Sequence, residues 1–269
     1  MKAIISHDVD HLTASEHKFD LVIQKYLIRS AIEWTCGYIT AGEVFKRLDG
    51  IRKNRWQNLE SLLKYDKENN IHSVFFVAMS KGCGLRYGLE DARFWIRKII
   101  DEGFEIGVHG IAYDNLEEIQ SEYSLFKKCS GLNAFGIRMH YLRGNWKTLD
   151  YLEDCGYLYD ASMSSVRAPF KKNDLWEFPL NIMDGDILYL NRRWQNQSLR
   201  ESIESTKRII ETCYRKNVPF LSILFHDRYY SESFRTWMDW YIWITSYLKE
   251  NGIPFVNYST AIRELEGKA

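Results

Sequence analysis

The chain has 269 residues, 45% hydrophobic and 27% charged, with acidic and basic residues balanced at 36 each. That length suits a large buried core, and the balance gives no electrostatic footprint for nucleic acid or an anionic membrane surface. No apolar run approaches the ~18 residues of a membrane span, and the five scattered cysteines include no C-x-x-C pair, which disfavours disulfide and zinc-thiolate frameworks and fits free thiols in a reducing cytoplasm.

The first predicted element is a strand over 2–6, starting so early that no signal peptide fits before it; a cytoplasmic protein is the expectation. His7-Asp8-Val9-Asp10-His11 follows at once. Side chains alternate along an extended segment, so Asp8 and Asp10 share a face and His7 takes the other. Two carboxylates on one face repel unless positive charge sits between them. A divalent metal answers that need, one carboxylate serving as ligand and the other as base; the plainer alternative is a polar turn.

Helices are predicted over 15–36, 41–54 and 56–69, the stretch 12–54 reading as a helical insertion after the first strand. A buried strand follows over 72–78, a helix over 89–102 ending at Gly103, and a strand over 104–108 leading into His109. Next come a helix over 115–129, a short strand over 135–137 leading into Arg138 and His140, and a helix over 146–155 stopped by Gly156. Extended segments over 157–161 and 176–180 precede a helix over 198–216. An apolar strand over 219–225 runs into His226-Asp227, and the chain closes with a helix over 233–250, a strand over 254–256 and a helix over 259–266.

Strands separated by helices predict a mostly parallel sheet in a single domain over 1–269. About seven strands suit a closed or nearly closed barrel, with an open doubly wound sheet as the alternative; no glycine-rich phosphate loop follows any strand. Four strands deliver Asp8 and Asp10, His109, Arg138 and His140, and His226 and Asp227 to their C-terminal ends. In parallel α/β folds those ends converge on the active-site face. The residue types suit metal-assisted hydrolysis with a carboxylate base and a histidine acid. The chain has no G-x-S-x-G, which disfavours a serine nucleophile.

These motifs, in this order, resemble the polysaccharide deacetylases, the superfamily containing chitin and peptidoglycan deacetylases. The resemblance runs from Ile4 to about His226 and rests on Ser6-His7-Asp8-Val9-Asp10, Glu105-Ile106-Gly107-Val108-His109-Gly110, Gly136-Ile137-Arg138-Met139-His140-Tyr141 and Leu224-Phe225-His226. Tyr159-Asp160-Ala161-Ser162 and Trp176-Glu177-Phe178-Pro179 resemble the segments between the last two. It implies a distorted, TIM-like (β/α)7 barrel. It also implies Asp8 as catalytic base, Asp10 and His109 as metal ligands, Arg138 as the group that steadies the base and His226 as general acid. The family usually carries a second histidine four residues after the first; here that position is Tyr113, a poor ligand at neutral pH because a phenol titrates near ~10. Asp114 is the expected third ligand, with His7 or His11 as substitutes. Zinc is the first choice of metal, with manganese, cobalt or nickel compatible.

His140, Tyr141, Trp146 and Trp176 are candidates to line the substrate site. His72 reads as structural, His17 as exposed, and Asp184 and Asp186 as turn residues. Trp237, Trp240, Tyr241 and Trp243 lie at near-helical spacing and read as core or a subunit contact. Arg143, Arg192 and Arg193 read as a solvated face, with an anionic substrate group as the sharper alternative. The expected activity is removal of an N-acetyl or related acyl group from a sugar in surface polysaccharide biosynthesis, such as lipopolysaccharide. A carbohydrate-binding relative without a metal, or hydrolysis of a small non-sugar amide, are the alternatives. The partner is a small-molecule or glycan substrate, and the sequence leaves the oligomeric state open.

Overall fold

The computed structural model describes residues 1–190 and 193–268. In chain order the elements are β1 (Lys2–Val9), α1 (Val22–Thr35), α2 (Ala41–Arg52), α3 (Leu59–Glu68), β2 (Val74–Val77), α4 (Leu89–Asp101), β3 (Glu105–Gly110), α5 (Leu116–Ser130), β4 (Ile137–Met139) and α6 (Trp146–Cys155). There follow β5 (Tyr159–Asp160), β6 (Phe170–Lys172), β7 (Leu175–Glu177), β8 (Ile182–Met183), α7 (Asp184–Tyr189), α8 (Leu199–Arg215), β9 (Phe220–Leu224), α9 (Arg235–Glu250) and α10 (Tyr258–Leu265).

All nine strands belong to one sheet in the order β6-β7-β5-β4-β3-β2-β1-β9-β8, and only the β6–β7 pair is antiparallel. The sheet curls into a distorted barrel. Its remaining gap is bridged where Leu180 N donates to Met163 O (2.7 Å), Ser165 N to Leu180 O (3.1 Å) and Asn181 N to Ser222 O (3.0 Å). An open doubly wound sheet is thereby set aside. Two strands more than expected appear, β6 and β8, because three- and two-residue strands leave no periodic signature. The expected strand at 254–256 is a single bridge, Ala3 to Phe255.

Capping chemistry sets the helix ends that the sequence locates best. Asn115 accepts from the amides of Glu117 and Glu118 to start α5, and Asn145 accepts from Lys147 and Thr148 to start α6. Gly131 and Gly156 end them with φ of 76° and 88°, a left-handed turn that costs glycine little. Packing explains Gly136 before β4: a Cβ there would stand 2.2 Å from the Tyr159 ring.

The stretch between β1 and α3 is helical but broken. A 3-10 turn over Ala14–His17 is separated from α1 because the Asp20 carboxylate accepts from Val22 N (2.9 Å) and starts a new helix. Arg47 of α2 ties the unit down, donating to Glu33 of α1 (2.5 Å), Ser30 (3.0 Å) and the Ser233 carbonyl (2.9 Å). No described helix is long and apolar enough to cross a membrane.

Candidate metal and acid–base site

β1 alternates through a packed barrel, so Ser6, Asp8 and Asp10 face inward together. β4 reaches the same interior with β3 and β2 between it and β1, and the parity repeats there: Arg138 and His140, just past the strand, point inward one above the other. Arg138 is fully buried, and Nη1 donates to Ser6 Oγ (2.7 Å) and Asp8 Oδ1 (3.1 Å). Its Nε donates to Ala161 O (3.0 Å) and its Nη2 to Tyr258 Oη (2.8 Å), with the guanidinium 4.5 Å over the Phe76 ring. A planar fork satisfied on every side holds Asp8 in one orientation. Burial alone would depress the Arg138 pKa; the neighbouring Tyr258 and Asp8 outweigh it and raise it.

One level nearer the mouth, Asp10 meets two imidazoles. Its Oδ1 lies 3.1 Å from His109 Nε2 and 3.3 Å from His140 Nδ1, and those two nitrogens are 3.0 Å apart. Backbone carbonyls fix the tautomers. His109 Nδ1 contacts Arg138 O (3.0 Å) and His140 Nε2 contacts Cys83 O (3.3 Å). A carbonyl only accepts, so each of these nitrogens carries the proton. In the neutral rings the opposite nitrogens, His109 Nε2 and His140 Nδ1, keep their lone pairs. Both lone pairs and a carboxylate oxygen then converge on one point. That is how outer hydrogen bonds prepare histidine ligands for a metal. The donor separations are close to the roughly 3.4 Å between neighbouring ligands on a tetrahedral zinc. Asp10, His109 and His140 therefore fit a divalent cation, and two imidazoles with one carboxylate leave a position open for water or substrate.

The electrostatics agree. Burial would raise the Asp10 carboxyl, yet the adjoining His109 and His140 imidazoles and the charge of His226 hold it well below the usual range. Burial would lower His109, but the carboxylates of Asp8 and Asp10 outweigh that and raise it. Positive charge is favoured at this point, whether a proton or a cation supplies it.

His226, one residue beyond Phe225, faces this cluster from β9. Its Nε2 is 3.7 Å from Asp10 Oδ2. Its other side is clamped by Asp184, whose carboxylate accepts from His226 N (2.8 Å) and from Nδ1 (2.8 Å). Burial would depress this imidazole; the fully buried Asp184 carboxylate outweighs it and pushes the pKa up to about 10. His226 thus holds a proton on Nε2 at neutral pH, aimed into a cavity of about 600 Å³ that Asp8, Asp10, His109 and His140 also line. Asp227 is buried with its carboxyl pushed up to about 8 by that burial; it accepts from Asn58 N.

Several expectations are corrected. Asp114 is exposed in the loop before α5 and stays away from the converging donors; His140 occupies the place expected of it. β3 runs to Gly110 and the chain then turns outward to reach the Asn115 cap, which carries Asp114 into solvent. His7 points to the far side of β1, bonded to Phe225 O (2.7 Å) and Asp66 (3.0 Å). His17 is buried rather than exposed, held between Asp20 (3.0 Å) and His11 (3.0 Å). His11 lines the cavity, and burial pushes its pKa down to about 3. His11, Glu16 and His17 also cluster, but the Glu16 carboxylate is taken by Thr13 N (2.8 Å) and Thr13 Oγ1 (2.9 Å).

Trp146 is exposed and lines a separate groove with Leu142 and Asn145. Trp176 lies at the outer surface, donating to Glu266 of the C-terminal segment (3.3 Å). Neither lines the cavity. Tyr141 does, exposed at the rim; it and Leu142 follow His140 with φ of 58° and 51°, a left-handed pair that for non-glycine residues costs on the order of 1–3 kcal/mol each. Asp184 opens α7 rather than a turn, and its clamp on His226 is the site contact that the sequence did not reveal. Arg143 donates to the carbonyls of His140 (3.1 Å) and Ile111 (2.6 Å), so it braces the His140 loop. Arg192 lies outside the described residues, and Arg193 is exposed. Trp237, Trp240 and Tyr241 are core residues, as expected, while Trp243 is half-buried.

No protein-family model matches the chain. Over 97 residues, 33% of this chain, it is 30% identical to a peptidoglycan deacetylase-like protein of Gibberella zeae, and the match spans 28% of that relative's length. Among solved structures, one described as a polysaccharide deacetylase of Mycobacterium smegmatis superposes with a TM-score of 0.65 at 13% identity, covering 99% of this chain and 91% of the other. An allantoinase superposes with a TM-score of 0.61 at 14% identity, over 97% and 88% of the two chains. These likenesses establish a shared fold.

Proposed function

We propose that the protein is a metal-dependent hydrolase that removes an N-acetyl or related acyl group from a sugar, acting in the making of a surface polysaccharide. The observation that carries this is the convergence of two histidine lone pairs and the Asp10 carboxylate between a carboxylate held by arginine and a protonated histidine. Asp10, His109 and His140 would hold the cation, zinc first by donor type. When bound, it supplies Lewis acidity toward the acyl carbonyl and lowers the pKa of water toward ~7.

The chain's own residues do the proton work. Asp8 takes the proton of the attacking water, and Arg138, itself anchored on Ser6 Oγ, keeps its carboxylate turned toward the cavity. His226 gives its Nε2 proton to the departing amine, and Asp184 both orients the ring and keeps it charged until that moment. The base approaches the cluster at His109 (Asp8 Oδ2 to Nδ1, 3.9 Å) and the acid at Asp10 (His226 Nε2 to Oδ2, 3.7 Å), so an amide held at the cluster meets both. The allantoinase of the same fold motivates the second reading, a small non-sugar amide as substrate.

The test pairs metal analysis with acetate release from N-acetylated sugars. One equivalent of bound metal and acetate release abolished by Asp8→Asn would support the proposal. Failure to bind metal after repletion, unchanged by Asp10→Ala or His109→Ala, would leave only a carbohydrate-binding role.

A further inference from the structure

The inserted helix α1 forms a wall of the cavity. Val22, Lys25, Tyr26, Arg29 and Glu33 line it, at spacings of three, four, seven and eleven residues from Val22 that belong to a single helix face. Its charges do not cancel. Among the described residues, Lys25, Arg29 and Arg228 line the cavity with no carboxylate within ion-pairing distance. The cavity's acids are mostly answered already: Asp8 by Arg138, Asp10 by two histidines, Asp184 by His226 and Glu33 by Arg47. Asp186 remains, and burial with the nearby Asp184 raises its pKa. A second, independent sign is Arg47, which also lines the cavity. It is 3% exposed, and its Nη2 is buried without a hydrogen-bond partner, although Nε and Nη1 are fully used. A guanidinium nitrogen without a partner and three cations without carboxylates, all lining one cavity, suit an anion with several oxygens.

A flank of the same helix, adjoining the cavity face at Lys25, carries exposed apolar side chains. Leu21, Lys25 and Ile28 lie four and three residues apart on one stripe, with Leu21 62% and Ile28 61% exposed. Phe19, just ahead of α1, is 98% exposed. Of the fourteen large hydrophobic side chains exposed among the described residues, eight fall between Phe19 and Leu48. Single exposed apolar residues need no explanation, but this concentration beside the cationic wall does. Two of the aromatic faces near that wall are not free to stack a nucleobase: the Arg228 guanidinium covers Trp56 at 4.1 Å and Tyr26 at 4.5 Å.

We propose that the substrate is a sugar phosphate carried on a lipid, its phosphate docking on Lys25, Arg29 and Arg228 and its chain leaving over Leu21 and Ile28. The acyl end rests on the function proposed above; the phosphate and lipid ends do not. The test compares three probes: N-acetylglucosamine on a diphosphate with a short, water-soluble prenyl chain, the same sugar on uridine diphosphate, and its neutral methyl glycoside. The expected kcat/KM is highest for the prenyl compound and at least tenfold lower for the neutral one. Lys25→Ala with Arg29→Ala should remove most of that preference. Leu21→Ser with Ile28→Ser should lower kcat/KM for the prenyl compound and not for the nucleotide. Equal rates for the neutral and prenyl compounds, or a preference for the nucleotide, would overturn the proposal while leaving the hydrolase intact. Calorimetry of the prenyl compound needs no turnover. Binding that weakens at least tenfold in the Lys25→Ala, Arg29→Ala variant, without acetate release from any probe, would keep this proposal and sink the hydrolase. Absence of binding would overturn it.

Discussion

The two faces of β1 each carry an aspartate–histidine constellation, and they do opposite things. Behind the strand, His7 is fully buried, with one ring nitrogen on Phe225 O and the other on Asp66; Asp66 also accepts from Ser73 Oγ (2.6 Å) and Tyr241 Oη (2.7 Å). Every polar valence there is spent inside the protein. In front, His109 and His140 each spend one nitrogen on a carbonyl and leave the other facing Asp10 and a cavity. Residue types do not separate a structural cluster from a functional one. Unspent lone pairs with solvent access do.

The largest effect that would sharpen this contrast is expected in front. Asp10→Ala or His140→Ala should abolish stoichiometric metal and cut acetate release at least about a thousandfold, about 4 kcal/mol of barrier, with little change in melting temperature. Metal analysis and kinetics on the same preparation check both halves. If His140→Ala kept its metal, the front cluster would not be the ligand set.

Behind the strand the pattern should invert. Asp66→Ala strips a buried histidine of its carboxylate, a loss expected to cost about 3–5 kcal/mol of stability. Denaturant unfolding reads it directly, while kcat per folded molecule should stay near its starting value. A large fall in kcat with normal stability would show that the rear cluster tunes the front one.

Asp184→Asn comes next. Positioned acid catalysis supplies ~10²–10⁴ in rate, and losing the partner of the acid should remove about ten- to a hundredfold of it. The sign follows from the raised pKa. His226 is held at about 10, above the ordinary 6.5 of an imidazole, so its charge–charge stabilisation is complete below about 6.5 and fades as pH rises through about 10. In the variant, NMR titration of the metal-free protein should find His226 moved toward the ordinary value, and the alkaline fall in activity should move down with it. An unmoved titration would mean that Asp184 does not hold the proton.

The fold was largely legible because its signals are periodic. Apolar runs ending in His109 and His226 mark strands, and Gly131 and Gly156 end helices where only a left-handed residue fits. What escaped detection was short or non-local. β8 has two residues, and Asp184 lies 42 positions before the histidine it clamps. Asp8 and Asp10 were paired by strand alternation, and the same rule applied to β4 pairs Arg138 with His140. Arg138 meets Asp8, and His140 meets Asp10. Spacing along the chain from His109 points to Asp114 as the third donor, whereas the parallel register His109↔Arg138 points to the neighbouring strand.

The smallest predicted effect tests that substitution of one donor for another. Asp114 is exposed, and the three donors of the cluster converge without it. Asp114→Ala should leave metal content at one equivalent and kcat/KM within about twofold, since an exposed loop substitution is worth no more than about 0.5 kcal/mol. His140→Ala beside it should lose both. The pair is informative because each residue lies a few positions from a strand-end residue, His109 or Arg138, and only position in three dimensions separates them. If Asp114→Ala lost metal and His140→Ala kept it, the loop after β3 would have to fold inward in the loaded protein, and His140 would become the substrate contact that its sequence position first suggested.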